Sequence, residues 1–256
     1  SDFPREHLHF DALTPDQDLT VKARTRSADP ADTVIAARFD KTHAVQCVFL
    51  ADHNLDLAAR YRLRVWAGRD LDGALRHAEA GDVWPVVYDW WSVNWFDSNG
   101  WSHKFLEEDL RPKLWSRPIV LPEPVAAGSL QLELFNAGNP DGFVQAGGLV
   151  IGGAWTWSVN FGFGTEIQPG DASTAADLPD GGRAVDDAVG ARVIRGKVKH
   201  LPRDEAMTRA WETFQQYRRV VPFPVVPSPR EPQHWPREAM LATADEVPPQ
   251  AHDVPR

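Results

Sequence analysis

Residues 136–152 read Asn-Ala-Gly-Asn-Pro-Asp-Gly-Phe-Val-Gln-Ala-Gly-Gly-Leu-Val-Ile-Gly, and this stretch decides the predicted fold. It opens as a turn, because Pro140 has a fixed φ and Gly142 adopts a positive φ at little cost. A strand is predicted to follow, broken at residues 147–148, since glycines inside a strand suggest a bulge or a close backbone. The preceding residues 130–135 alternate apolar and polar side chains, as a strand with one wet face does. This strand–turn–strand unit favours a β-sandwich.

Bulk composition excludes several classes of protein. The chain has 256 residues, which suffice for one large domain or two small ones. Its single cysteine, Cys47, excludes an internal disulfide framework, and we expect it to fill the core. A net charge of −9 argues against a general nucleic-acid binder. No stretch approaches the roughly 18 apolar residues of a membrane span, and the first residues lack the pattern of a signal peptide.

Further strands are predicted along the first two thirds of the chain. They cover residues 33–39, 44–51, 60–66, 113–121 and 155–163. The run at 44–51 is continuously apolar, so we expect it to be buried on both faces. The strand at 113–121 is expected to end at the prolines that follow it.

The last part of the chain changes character. Acidic residues after Pro202 predict a helix start, and an apolar stripe follows at helical spacing. That stripe consists of Met207, Ala210, Trp211, Phe214 and Tyr217. Strands are predicted at 191–200, at 220–226, where prolines indicate an edge, and at 238–244.

The predicted fold is therefore mainly β, a jelly-roll β-sandwich followed by a small α+β module. The predicted divisions are an N-terminal arm (1–30), a galactose-binding-like sandwich (31–165), a linker or long loop (166–190), the α+β module (191–247) and a Pro-rich tail (248–256).

Residues 84–101 form an aromatic tract without a clean period, and we interpret it as a long loop. Loops longer than about 12–15 residues in compact domains tend to be functional. Flat indoles beside Asp or Asn suit sugars, which present both C–H faces and hydroxyls. The candidate glycan-binding residues are Trp90, Trp91, Trp95, Asp97, Asn99 and Trp101. Alternatively, these rings pack the loop against the sandwich or form a subunit interface, where tryptophan is enriched.

Catalytic and metal motifs are scarce. The sequence has no phosphate loop, no Gly-x-Ser-x-Gly and no Cys-x-x-Cys, so we expect no enzyme and no cofactor. The carboxylates at 107–109 are adjacent, which is typical of a solvated turn. Asp52 and Asn54 either form an Asx turn or, joined by Asp40 or Asp141, hold a structural calcium ion.

Two motifs carry a resemblance to a known family. Residues 45–55, Val-Gln-Cys-Val-Phe-Leu-Ala-Asp-His-Asn-Leu, and residues 132–147, which contain Asn-Pro-Asp-Gly-Phe, resemble discoidin-like (galactose-binding-like) jelly rolls. More narrowly, they resemble a group of phage and prophage tail proteins. That group has a His-Asn-Leu turn after the first core strand and an Asn-Pro-Asp-Gly-aromatic turn before a strand that ends in a glycine pair. Residues 237–240 are similar to the end of those proteins.

The resemblance implies a structural protein of the virion, in the tail tip or baseplate of a long-tailed bacteriophage. Such a protein is made in the host cytoplasm and contacts other tail proteins and, as a second role, host surface polysaccharide. We expect a homo-oligomer within the virion. The interface candidates are the arm and Met207, Trp211, Phe214 and Tyr217. The alternatives are a carbohydrate-binding adhesion module and a glycan-cleaving enzyme.

Overall fold

The computed structural model of the chain describes residues 22–110, 115–159, 165–171, 173–177, 182–186, 189–196, 198, 200–217 and 221–244. The predicted arm falls outside these residues up to residue 21, and the predicted tail does so entirely. The described chain is mainly β, which confirms the predicted class. A jelly-roll arrangement is not confirmed.

The strands are β1 (Ala23–Arg24), β2 (Val34–Ala51), β3 (Arg60–Trp66), β4 (Leu75–Asp82), β5 (Arg117–Phe135), β6 (Gln145–Ala146), β7 (Gly148–Gly152), β8 (Glu166–Asp171), β9 (Thr174–Asp177), β10 (Arg183–Asp186), β11 (Val189–Arg195), β12 (Phe223–Val225) and β13 (Met240–Ala242). The helical segments are 3₁₀ turns at Glu107–Leu110 and Pro232–His234, α1 (Arg203–Glu205), a π-helical stretch (Ala206–Trp211), α2 (Glu212–Tyr217) and α3 (Trp235–Glu238).

One antiparallel sheet organises the described chain, with the strand order β4-β3-β5-β2-β7. Its two longest strands are β2, with 18 residues, and β5, with 19. Strand β2 joins the two strands that the sequence predicts at 33–39 and 44–51. The prediction that the strand at 113–121 ends at its prolines is wrong, because β5 continues through Pro122 and Pro124 to Phe135.

Two irregularities in the β2–β5 pairing explain how the prolines fit. The pairing passes from Arg38↔Ser129 to His43↔Ala127. Four residues of β2, 39–42, therefore lie opposite a single residue of β5, residue 128. Further along, residues 121–124 of β5 stand opposite residue 46 alone. The first irregularity adds three extra residues to β2, and the second adds three extra residues to β5. The two strands therefore return to their original register. The prolines lie within an unpaired bulge, where a missing N–H removes no ladder bond.

The core covers both faces of β2, as the continuous apolar run at 44–51 predicts. Val48 and Leu50 belong to the main apolar cluster, which also includes buried residues of β3 and β5. Phe49 and Ala51 alternate with them and pack with Trp235 and Ala239, as well as with part-buried residues of β12–β13 and nearby strands. The C-terminal segment 222–242 therefore packs on the opposite face of the sheet.

Outside the sheet, the structure differs from the sequence expectations in two places. Residues 166–190 were expected to be a linker or long loop, with a long hairpin tip as the alternative for 170–190, and they hold β8, β9, β10 and the start of β11. These strands pair as two-stranded ribbons with mostly exposed side chains, so the sequence lacks the alternation that one buried face imposes. The predicted strand at 155–163 is not formed at 155–159, where Trp155 and Ser158 instead bond to Glu205; its remaining residues, 160–163, lie outside the described residues.

The predicted helix after Pro202 is confirmed, as a continuous helical run from 203 to 217 with a π-helical stretch in its middle. The strands predicted at 220–226 and 238–244 are shorter in the structure and pair with each other as β12 and β13. Helix α3 occupies the four residues up to Glu238.

The predicted turn at Asn-Pro-Asp-Gly is present. The N–H of Gly142 donates to the carbonyl of Asn139 at 3.0 Å, and Gly142 has a φ of +74°. The Asn139 side chain accepts from the N–H of Asp141 at 2.9 Å, which closes the turn locally.

This turn is joined to the His53-Asn54-Leu55 turn by side-chain amides. Asn54 Oδ1 accepts from the N–H of Gln145 at 2.7 Å, and Asn54 Nδ2 donates to the carbonyl of Phe143 at 3.1 Å. In return, Asn139 Nδ2 donates to the carbonyl of Asn54 at 3.0 Å. A second amide, that of buried Asn136, exchanges two 2.9 Å bonds with Asp56. Side chains of each turn therefore form hydrogen bonds with backbone groups of the other.

The predicted break at residues 147–148 also has a steric cause. The N–H of Gly147 donates to the carbonyls of Ala51 and Asp52, at 2.9 and 3.1 Å. A Cβ added to Gly147 would lie 2.9 Å from the Cβ of Asp52, whereas one added to Gly152 would meet nothing within 4 Å.

We predict that Gly147→Ala lowers the free energy of unfolding by about 1–3 kcal/mol, because the new methyl group overpacks against Asp52. Gly152→Ala is the matched control and should change it by less than about 0.5 kcal/mol. Urea denaturation followed by far-UV circular dichroism measures both. Equal stability of the two variants would contradict the close approach at Gly147.

Candidate functional site

The loop that connects β4 to β5 begins and ends in the core. Trp84 is buried, and its Nε1 donates to the carbonyl of Leu55 at 3.1 Å. Its ring packs edge-to-face against Trp115 and Phe105, at centroid distances of 5.1 and 6.1 Å. These three rings anchor the base of the loop, so the alternative of core packing holds for Trp84.

Hydrogen bonds close the neck of this loop. The N–H groups of Val87 and Tyr88 both donate to the carbonyl of His103, at 2.9 and 3.0 Å. Lys104 Nζ donates to the carbonyl of Leu57 at 3.1 Å and to Asp82 at 2.9 Å. The loop therefore leaves and re-enters the domain at a fixed place.

Successive tight turns define the backbone within the loop. The N–H of Asp97 donates to the carbonyl of Asn94, and that of Gly100 donates to the carbonyl of Asp97, at 3.0 and 2.9 Å. A Cβ at Gly100 would lie 3.0–3.2 Å from three backbone carbonyl oxygens. The glycine is therefore needed for this compact path.

Five aromatic side chains in the middle of the loop are exposed. Their exposed fractions are 63% for Trp90, 69% for Trp91, 55% for Trp95, 96% for Phe96 and 83% for Trp101. We name these five residues the tryptophan loop surface. Trp90 and Trp91 are perpendicular at 5.7 Å, and Trp95 and Trp101 at 5.5 Å. Exposed large apolar side chains grouped on one loop are typical of a binding surface.

The polar candidates of the loop divide into two groups. Asp97 is exposed, and its carboxylate accepts from Asn94 Nδ2 at 3.4 Å. Asn99 is buried, and its amide donates to the carbonyl of Lys104 at 3.0 Å. Asn99 therefore supports the loop and does not face a ligand. The sequence selection missed Phe96, although its position between Trp95 and Asp97 places it in the same tract.

Four carboxylates lie in or just after the tryptophan loop surface, whereas exposed Arg237 lies against the base of the loop, over the rings of Tyr88 and Phe105. Asp89, Asp97, Glu107 and Glu108 are all exposed. Glu107 and Glu108 lie in the 3₁₀ turn just after the loop. Among the described residues of the loop, Lys104 pairs with Asp82.

The calcium candidates have other partners. Asp52 forms an ion pair with Lys22 at 2.7 Å, and both polar atoms of the Asn54 amide are used in the junction between turns. Asp40 pairs with Arg69, and Asp141 accepts from Asn54. The described residues hold no group of three or more His, Cys, Asp or Glu side chains that could bind a metal ion.

Two titratable groups near the core are held neutral by their surroundings. Burial and nearby Arg117 lower the pKa of His53 from 6.5 to about 3, and His53 Nδ1 accepts from the N–H of Leu55 at 3.3 Å. Burial raises the pKa of the Cys47 thiol to about 12, which leaves it protonated. Neither group is poised for acid–base or nucleophilic chemistry.

The structure describes the side chains of some of the interface candidates in the helical run 203–217. Met207 and Trp211 are exposed, whereas Ala210 of the same stripe is buried. Phe214 and Tyr217 lie in α2, but their side chains fall outside the described part of the structure. Glu205 joins the helical run to residues 155–158 by accepting from the Ser158 hydroxyl, the Ser158 N–H and Trp155 Nε1, and these bonds lower its pKa.

Comparison with known proteins found no matching family model, no matching curated protein and no matching solved structure. Within the described residues, no helix is both long and apolar enough to cross a membrane.

We predict that His53 makes the stability of the protein depend on pH. Unfolding restores its pKa to the ordinary 6.5, so the unfolded chain binds the proton first as pH falls. Neutral His53 contributes its full share of the free energy of unfolding above pH 6.5. As pH falls from 6.5 towards its folded pKa of about 3, the free energy of unfolding decreases by up to about 1.4 kcal/mol per pH unit.

The measurement is urea denaturation at a series of pH values for the wild type and His53→Asn. The asparagine oxygen keeps an acceptor for the N–H of Leu55 and does not titrate in this range. The difference in unfolding free energy between the two proteins should shrink as pH falls. A constant difference would mean that His53 is not held neutral.

Proposed function

We propose that this chain is a structural and interaction protein of the distal tail of a long-tailed bacteriophage, and that the tryptophan loop surface is its contact surface. The observation that carries the proposal is the exposure of five large aromatic side chains on a loop whose backbone is fixed by hydrogen bonds.

Burial of this surface by a partner would release considerable free energy. Each large aromatic side chain can bury about 150–250 Å², and apolar area contributes about 25 cal/mol per Å². Tryptophan is also among the residues that dominate measured binding energies at interfaces. Because the neck and turns of the loop are already ordered, little conformational entropy remains to be lost on binding.

The assignment to a phage tail comes from the resemblance of residues 45–55 and 132–147 to tail proteins. The bonds between Asn54 and the turn at 139–145 give a structural reason for both motifs to occur in one chain. We extend the proposal to the jelly-roll fold. Strands β4-β3-β5-β2 would form one layer and β5-β2-β7 the other, and buried residues of both regions share one core.

A host glycan is the second candidate ligand of the same surface. The exposed indole pairs offer rings against which the C–H faces of sugars can stack, and exposed Asp97 in the same loop offers a carboxylate for hydroxyl groups. This arrangement favours the adhesion role over the glycan-cleaving alternative.

We predict that purified phage particles contain this chain in several copies, with the tryptophan loop surface covered. Hydroxyl-radical footprinting of particles and of the free protein, diluted until it is monomeric, followed by mass spectrometry, compares the oxidation of Trp90, Trp91 and Trp101. Oxidation should fall several-fold in the particle. Absence of the chain from particles, or equal oxidation in both states, would overturn the proposal.

For the glycan alternative, we predict that host polysaccharide quenches tryptophan fluorescence of the free protein, and that Trp95→Ala weakens binding at least about tenfold, since burying such a side chain is worth about 1.5–3 kcal/mol. Trp211→Ala, which removes an exposed indole outside the loop, is the matched control and should bind normally. Lack of any response across host polysaccharides would rule out the glycan role.

A further inference from the structure

An arginine-rich stripe lies on the outer face of the main sheet. Strand β3 buries Tyr61, Leu63 and Val65 on one side, so its alternate residues face outward. Those residues are Arg60, Arg62 and Arg64, whose side chains are 67%, 47% and 34% exposed. We name these three residues, together with exposed Arg76 of β4, the arginine stripe.

The neighbouring strand leaves the stripe open. Ala80 stands opposite Arg62 and Ala78 opposite Arg64, and both alanines are exposed. The guanidinium groups of Arg62 and Arg64 already lie over the rings of Phe135 and Trp66, and the small alanines leave room for a further flat ring beside them.

The stripe carries more positive than negative charge. Buried Glu133 is shared between Arg62 and Arg64, and Asp82 is shared between Arg60 and Lys104. Two carboxylates thus pair with three arginines of the stripe and with Lys104, and exposed Arg76 adds a further positive charge. This excess is opposite in sign to the net charge of the whole chain, which is −9.

The tryptophan loop surface complements this stripe in both charge and chemistry. It presents exposed indoles, and four exposed carboxylates lie in or next to its loop. Arginine pairs well with both groups, through stacking on an indole and through ion pairs with a carboxylate. Within one copy the two surfaces do not cover each other, because both remain exposed.

We infer that the tryptophan loop surface of one copy docks on the arginine stripe of a second copy. This inference rests on the proposed function, since it names the partner of the contact surface. The contact joins two different patches, so repeated contacts close into a dimer or ring when the geometry permits. Tryptophan and arginine are both enriched among residues that dominate binding energy.

The first test is sedimentation velocity of the wild-type chain at several protein concentrations and at low and high salt. We expect concentration-dependent association that weakens at high salt, because screening reduces the ionic part of the contact. A monomer at every concentration would overturn the inference.

The second test reverses charge on each surface separately. The loop variant is Asp89→Lys/Asp97→Lys, and the stripe variant is Arg60→Glu/Arg76→Glu. All four residues are exposed and lie outside the buried Glu133 cluster, so we expect both variants to fold normally. Each variant alone should associate at least about tenfold more weakly than the wild type, because like charges then meet.

Mixing the two variants provides the decisive result. In the mixture, the reversed loop of one variant meets the reversed stripe of the other, and the unreversed surfaces also meet, so association should return to near the wild-type level. Glu123→Lys and Arg230→Glu, which reverse exposed charges elsewhere, are matched controls and should associate like the wild type. Variants that associate normally alone, or fail to recover when mixed, would contradict the docking.

Failure of this inference differs from failure of the proposed function. If the free chain is monomeric while particle footprinting still protects the loop, the loop contacts another tail protein and only the inference falls. If the loop is equally oxidised in particles and in free protein, both fall.

Discussion

The pairing of β2 with β5 is the constraint on which the rest of the structure depends. These two strands run the length of the sheet, and every other strand of the sheet bonds to one of them or, for β4, to β3. Their register survives two bulges only because the offset at 39–42 is reversed at 121–124. Without that reversal, one end of β2 would pair with its alternation inverted, and apolar side chains would turn to solvent. Bulges of this kind bend a strand. Buried residues from the first and last parts of β2 and β5 can therefore belong to the same apolar cluster.

Local chemistry explains which parts of this fold the sequence predicts. The turn at 139–142 follows from proline and glycine, whose backbone preferences do not depend on distant contacts. The burial of 44–51 follows from its continuous apolar run. By contrast, the continuation of β5 through Pro122 and Pro124 depends on the bulge that its partner permits, and no local signal in 117–135 reveals that. The strands at 166–186 are not predicted for a related reason, because strands exposed on both faces need no alternation.

The candidate site shows the same limit at the level of single residues. The aromatic tract lies in a loop, as its lack of a clean period predicts, but composition alone does not separate Trp84, which is buried in the core, from Trp91, which is exposed. The difference comes from position, since the ends of the loop pack in the main apolar cluster and its middle does not. The same holds for its polar residues, where neighbouring Asp97 and Asn99 face solvent and backbone, respectively. Sequence reasoning identifies a surface of this kind as a region, and the structure then assigns each side chain to support or to contact.

The arginine stripe has a structural cause that also bears on its use. Glu133 is almost fully buried on the outer side of β5, and a buried carboxylate is strongly unfavourable unless it is paired. Arg62 and Arg64 supply that pairing from the adjacent strand, which explains their presence in an acidic chain. Arg60 and Arg76 are not needed for Glu133, because Arg60 meets only Asp82 at 3.5 Å, a surface contact of little energetic weight. The pairing of Glu133 therefore explains Arg62 and Arg64. The charges of Arg60 and Arg76 have no such role in neutralising a buried carboxylate.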